Sequence, residues 1–132
     1  MIKVLDVSAA IEILFQKEKS EKFSDEFNNG SWIIAPDLYV SEMSNVVWKY
    51  YKAKVITHDE CVQYVDDGIN MIDNLFDAKD IWKEALAEGI KYNHSIYDMY
   101  YAILARRNDG QLITNDKVLA DIAKKMKIDV CI

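Results

Sequence analysis

Short apolar runs alternate with longer amphipathic stretches along this chain. IKVLD at residues 2–6 is apolar and β-branched, the pattern of a short buried strand, and SAAIEILFQ follows as a helix that Ser8 can cap. SEKFSDEFNN reads as a second short helix ending at Gly30, and WIIA is a second strand-length run stopped by Pro36. From Asp37 to about Lys54 the residues Leu38, Val46, Trp48 and Tyr50 are apolar almost all round, which predicts a helix buried on more than one side. THDE at 57–60 is a T-x-x-E capping box, and Val62, Val65, Ile69 and Ile72 continue it at helical spacing. DAKDIWKEALAEGIKYN and the stretch from Ser95 through YDMYYAILARRN predict two more helices, with a turn at Asp109-Gly110. QLIT is a third strand, NDKVLADIAKKMK a last helix and IDVCI a closing strand.

Strands separated by helices, none with clean polar alternation, predict a parallel sheet covered on both faces. The expected architecture is three-layer α/β/α around a mostly parallel sheet of about four strands. No repeat or linker breaks the chain, so residues 1–132 are expected to form one domain.

In such a sheet the crevice lies at the carboxyl ends of the strands. Four acids are placed to meet there: Asp6 ending the first strand, Glu42 and Asp98 near helix starts, and Asp116 just after a late strand. Each also has an ordinary structural reading. Ser95 to Asp98 matches the S-x-x-D capping box, Asp116 can cap a helix, and Glu42 can be a solvated acid. Asp6 resists that treatment, because a carboxylate at the end of a buried strand is costly unless hydrogen-bonded or paired with a cation.

Composition narrows the classes. The net charge of −6 disfavours a general nucleic-acid binder, although residues 1–100 carry 10 basic and 18 acidic side chains and 101–132 carry 6 and 4. That basic end supplies Arg106, Arg107, Lys124, Lys125 and Lys127, which either flank a metal site or form a solvated helix face. Cys61 and Cys131 have no zinc-like spacing and are expected to be reduced thiols. No apolar run is long enough for a membrane span and MIKVLDVSAAIEILF lacks a signal-peptide layout, so no membrane association and a cytoplasmic location are expected. Glycine-rich phosphate loops and Ser/His triads are absent.

VLDVS, the P-x-x-x-x-x-E-x-x-N run from Pro36 through Glu42 to Asn45, YDMYYAILA and LITND stand in an order that resembles the PIN-domain ribonucleases, and among them the VapC-type toxins of toxin–antitoxin pairs. The resemblance spans nearly the whole chain. It implies a PIN-like fold and a four-carboxylate site of Asp6, Glu42, Asp98 and Asp116. Around that site it implies small polar residues at Ser8, Asn45, Thr114 and Asn115. The chemistry implied is hydrolysis of RNA to 5′-phosphate and 3′-hydroxyl ends, with Mg²⁺ as cofactor and Mn²⁺ as a substitute. Asp6 and Asp98 are the expected direct ligands; Glu42 and Asp116 would orient water or hold a second ion. Where many relatives carry a fifth acid, this chain has Val118, and Val7 replaces a common Thr.

Two partners are expected besides RNA. Surplus apolar side chains around Trp48, Tyr50, Tyr51 and Val62 to Phe76 point to a homodimer, and an antitoxin is implied by the toxin resemblance. The competing readings are a PIN-like binding or scaffold module without turnover and a DNA-processing nuclease of the same fold.

Overall fold

The computed structural model describes residues 1–132. The chain runs β1 (Ile2–Leu5), α1 (Val7–Leu14), α2 (Ser20–Phe27), β2 (Trp32–Pro36), α3 (Leu38–Lys52) and α4 (His58–Asn70). It continues as β3 (Asn74–Phe76), a 3₁₀ turn (Ala78–Asp80), α5 (Trp82–Tyr92), α6 (Ile96–Arg107), β4 (Gln111–Ile113), α7 (Lys117–Lys125) and β5 (Asp129–Cys131). The strands form one sheet in the order β3-β2-β1-β4-β5, and every neighbouring pair is parallel. This is the expected three-layer α/β/α fold with a fifth strand, β3, added at one edge. Its three residues include exposed Asn74 and Leu75, so the apolar signal of a central strand is missing there.

Strand β1 holds the middle of the sheet, pairing with β2 on one side and β4 on the other. The chain winds outward through β2 and β3, then returns across β1 to build β4 and β5. The reversal opens a crevice between the carboxyl ends of β1 and β4, the topological switch point of an open α/β sheet. Helix α6 packs across β1, β2 and β4 with α5 outside it, and α1 contacts α2, α3 and α4. Val4, Leu5, Ile33, Ile34, Leu112 and Ile113 anchor one core cluster with Tyr101, Ile103 and Leu104 from α6.

A lysine in the central strand needs a partner. Lys3 is 1% exposed, and its Nζ donates to the Glu26 carboxylate at 2.5 Å and the Glu26 carbonyl at 3.0 Å, tying α2 to the sheet.

Helix ends follow one rule. After α1, α3, α5, α6 and α7 the chain turns through a left-handed residue, namely Gln16, Lys54, Asn93, Asp109 and Lys127, with φ between 48° and 62°. The paired backbone bonds of a Schellman motif accompany each, as in Lys17 N–H to the Glu12 carbonyl and Gln16 N–H to the Ile13 carbonyl. None of the chain's 4 glycines occupies these positions.

Helix α3 departs from its expected burial. It buries Tyr39, Met43 and Val47, but Trp48 and Tyr51 remain about half exposed, so the second apolar side is open. Met43 lies against Gly68 of α4, where a Cβ would stand 2.8 Å from the Met43 Cε, and the Tyr39 hydroxyl donates to the Gly68 carbonyl at 2.7 Å. The open side of α3 and the facing side of α4 form an apolar groove of about 550 Å³ lined by Val47, Trp48, Tyr51, Val62, Val65 and Ile69. No helix is long and apolar enough to cross a membrane. Both cysteines are free thiols.

Candidate functional site

The crevice at the switch point has a volume of about 350 Å³, and Asp6, Glu42, Asp98 and Asp116 all line it. Ser8 and Asn115 line it too. Thr114 is buried beneath, and Asn45 stands exposed on α3, one turn beyond Glu42 and outside the lining.

Asp6 is the first residue after β1, and its backbone N–H extends the ladder to the Ile113 carbonyl at 3.0 Å. Its Oδ2 accepts from the Ser8 and Thr114 hydroxyls, each at 2.7 Å. The Ser8 Oγ accepts in turn from the Asn115 backbone N–H at 2.9 Å, and the Thr114 Oγ1 from the Asp116 N–H at 3.0 Å. Each hydroxyl thus donates once and accepts once. This closed set locks the β1–α1 junction to the β4–α7 junction.

The other acids are held in a similar way. The Asp98 Oδ2 is bonded to the His94 Nε2 at 2.7 Å, and the Glu42 Oε1 accepts from the Tyr101 hydroxyl at 3.0 Å. The Asp116 Oδ1 caps α7, accepting from the Val118 and Leu119 N–H groups at 3.0 and 3.1 Å. In all four acids one oxygen is tethered, while the second accepts no hydrogen bond from the protein and is left for the crevice.

The capping reading of Asp116 and its place at the crevice therefore hold together. The capping reading of Asp98 does not survive: Ser95 makes no side-chain cap, and Asp98 turns to His94 instead.

Burial drives the electrostatics. Asp6 is 5% exposed, and desolvation pushes its carboxyl upward against the hydroxyls of Thr114 and Ser8, with the charges of Asp98 and Asp116 adding to the rise. Burial, with the charges of Asp6 and Asp98 adding to it, lifts Glu42 to about 7 despite the Tyr101 hydrogen bond. Asp98 is also raised by burial, opposed by His94. No lysine or arginine forms an ion pair with any of the four. An all-oxygen set of mutually repelling carboxylates is the chemistry of a hard divalent cation. No three of these side chains stand close enough to grip one ion together. A hard ion that keeps several waters takes only one or two carboxylates directly.

The basic residues expected to flank the acids lie elsewhere. Arg106 and Arg107, at the far end of α6 from Asp98, pair with Glu84 and Glu88. Lys124 and Lys125 occupy the last turn of α7, opposite the end that Asp116 caps, and Lys127 follows them. Long helices carried these charges to the other edge of the sheet, which nearness in sequence to Asp98 and Asp116 does not reveal.

Four side chains at the crevice escaped the sequence reading: His94, Tyr101, Glu12 and Lys17. Their spacings were visible. Tyr101 stands three residues after Asp98, His94 four before it, and Glu12 four after Ser8, so each shares a helical face or turn with a site residue.

The PIN domain family model matches residues 3–125. Ribonuclease VapC3 of Pyrobaculum aerophilum is 26% identical over 127 residues, covering 89% of this chain and 92% of that protein. Among solved structures, PAE2754 from Pyrobaculum aerophilum superposes with a TM-score of 0.75 at 15% identity, covering 98% of this chain and 83% of the other. VapBC2 from Rickettsia felis, bound to a DNA fragment from its promoter, gives 0.68 at 14% identity, covering 99% and 98%. With the family match running from within β1 to the end of α7, and the fold shared with those structures, the chain belongs to the PIN domain family.

Proposed function

We propose that this protein is a Mg²⁺-dependent endoribonuclease that hydrolyses single-stranded RNA, and that it is the toxin of a toxin–antitoxin pair. One observation carries the reading: Asp6 is buried at the carboxyl end of the central strand, has no ion-pair partner, and shares its crevice with four other acids. Such a charge is costly alone and is stabilised by a bound cation. The similarity to Ribonuclease VapC3 supports RNA as the substrate.

Asp6 and Asp98 would hold the ion, through the oxygens that Ser8, Thr114 and His94 leave free. A bound Mg²⁺ would supply the activated nucleophile and offset charge on the phosphoryl oxygens. Glu42 is suited to orient the attacking water and accept its proton at Oε2, while Tyr101 fixes the other oxygen. Asp116 holds the crevice wall through its cap and presents Oδ2 to the substrate side or a second ion. Ser8, Thr114 and Asn115 keep Asp6 oriented.

The test is cleavage of a fluorescent single-stranded RNA beside a DNA of the same sequence, in Mg²⁺, Mn²⁺ and EDTA. Metal-dependent RNA cleavage that disappears in Asp98→Asn supports the reading. Cleavage undiminished by exhaustive chelation overturns the mechanism, cleavage of DNA alone reassigns the substrate, and no cleavage with no thermal shift in Mg²⁺ leaves a binding module.

The α3–α4 groove, with Trp48, Tyr51 and Val62 exposed, is the surface through which we expect two copies to pair. A monomeric mass by light scattering at micromolar concentration overturns that pairing. The antitoxin would reach the acids with a basic side chain, most effectively an Arg forming paired bonds to a carboxylate.

A further inference from the structure

One basic side chain lines the acid crevice: Lys17. The remaining lining is five acids, with Glu12 joining the other four, plus apolar and neutral polar residues. An RNA strand is itself an anion at every linkage, and a metal at the acids offsets charge at one phosphate only. A strand that enters this crevice needs a second fixed positive charge for the neighbouring linkage.

Lys17 is built to be that charge. It follows the Schellman turn of α1, where its own N–H donates to the Glu12 carbonyl at 2.9 Å and Gln16 takes the left-handed conformation. Its ammonium donates to the Tyr50 hydroxyl and lies 5.1 Å from that ring's centre. Phe15 stacks on the Tyr50 ring at 4.3 Å and is itself stacked by Tyr64 at 4.2 Å. Lys17 makes no salt bridge, so of its three N–H donors only the one given to Tyr50 is committed. A long, usually mobile side chain is thus held at the mouth of the site with donors to spare, and little further ordering is needed when an anion arrives.

Resting on the ribonuclease reading above, we propose that Lys17 binds the RNA phosphate adjacent to the one being cleaved, with Tyr50 as its positioning residue. Lys17 touches substrate without entering the bond-breaking step. Its contribution is to substrate affinity.

Steady-state cleavage of a single-stranded RNA oligonucleotide and of a dinucleotide, which has no flanking phosphate, separates this role from others. Lys17→Gln should raise KM on the oligonucleotide about tenfold, the loss of one charge-assisted contact, and Lys17→Arg should restore most of it. The salt dependence of oligonucleotide binding should flatten by about 0.7 in log–log slope, one phosphate contact on a single strand. Tyr50→Phe should raise KM in the same direction but less. On the dinucleotide, wild type and Lys17→Gln should behave alike, and the melting temperatures should match because Lys17 is exposed. An unchanged KM and slope in Lys17→Gln, or an equal defect on the dinucleotide, overturns the assignment while leaving the nuclease reading intact. Wild-type protein that neither binds nor cleaves RNA overturns both.

Discussion

His94 and Asp98 are joined by a 2.7 Å hydrogen bond between Nε2 and Oδ2, with both side chains mostly buried at the start of α6. The imidazole fixes the rotation of the carboxyl and leaves its other oxygen for the crevice. Partners that orient a metal ligand typically change metal affinity or activity 10–100-fold when removed. His94→Ala is therefore expected to weaken the Mg²⁺ concentration dependence of cleavage by about tenfold. His94→Gln, which can still donate to Asp98, should recover part of it. A His94→Ala protein with wild-type Mg²⁺ dependence would detach His94 from the site.

The Asp6 network sets stability against function. Asp6→Asn keeps an acceptor for Ser8 and Thr114 but removes a buried charge that faces Asp98 and Asp116. In EDTA this variant should melt higher than wild type, and it should not cleave. Thr114→Val should act the other way, leaving Asp6 with one hydroxyl fewer and costing about 1–3 kcal/mol in urea unfolding of the metal-free protein. A destabilised Asp6→Asn would show that the charge is compensated by something other than a cation.

A pH dependence follows from Glu42. Its carboxyl is raised by burial from the ordinary 4.5 to about 7. Between those values the folded protein retains a proton that the unfolded chain has lost, so metal-free stability should fall as pH rises through that window. Asp6 and Asp98 shift in the same direction and reinforce the trend. Melting in EDTA should be higher near pH 5 than near pH 7.5, and Mg²⁺ should lift the upper end most. A metal-free profile that is flat, or that rises with pH, contradicts it.

Helix ends offer a test independent of function. Lys54 closes α3 at φ 62°, with the Val55 N–H on the Tyr50 carbonyl and its own on that of Tyr51. A left-handed conformation costs a non-glycine residue about 1–2 kcal/mol, part of which glycine returns as extra freedom in the unfolded chain. Lys54→Gly should therefore stabilise the protein by roughly 0.5–1 kcal/mol in urea unfolding. A loss of stability would mean that the lysine side chain contributes more than its backbone conformation costs.

Two identical local patterns show where the sequence stops being readable. Thr57 to Glu60 forms the full capping box, the threonine oxygen accepting from Glu60 N–H and the Glu60 carboxylate from Thr57 N–H. Ser95 to Asp98 has the same spacing and forms none, because His94 stands one residue ahead and captures Asp98. Local pattern identifies the residues able to cap, whereas the competing partner is settled in three dimensions. The four acids line one crevice because strand ends are legible and the sheet's topology does the rest. Strand β3 and the destination of the Arg106–Lys127 charges were not legible. The first has only three residues at a sheet edge; the second depends on which end of a helix meets the crevice. Lys17 was hidden for the opposite reason, since its place at the site depends on a turn and on Tyr50, 33 residues away.

The hydrogen bond from Thr114 to Asp6 joins side chains 108 positions apart. Within this domain Asp6 follows β1, yet its hydroxyl clasp and its neighbour Asp116 arrive only with β4 and the turn that follows. A nascent chain lacking β4 has its first acid exposed and unoriented, with no crevice around it. On the nuclease reading proposed above, a centre arranged in this way stays inert beside the messenger and ribosome until β4 and the turn after it have been made.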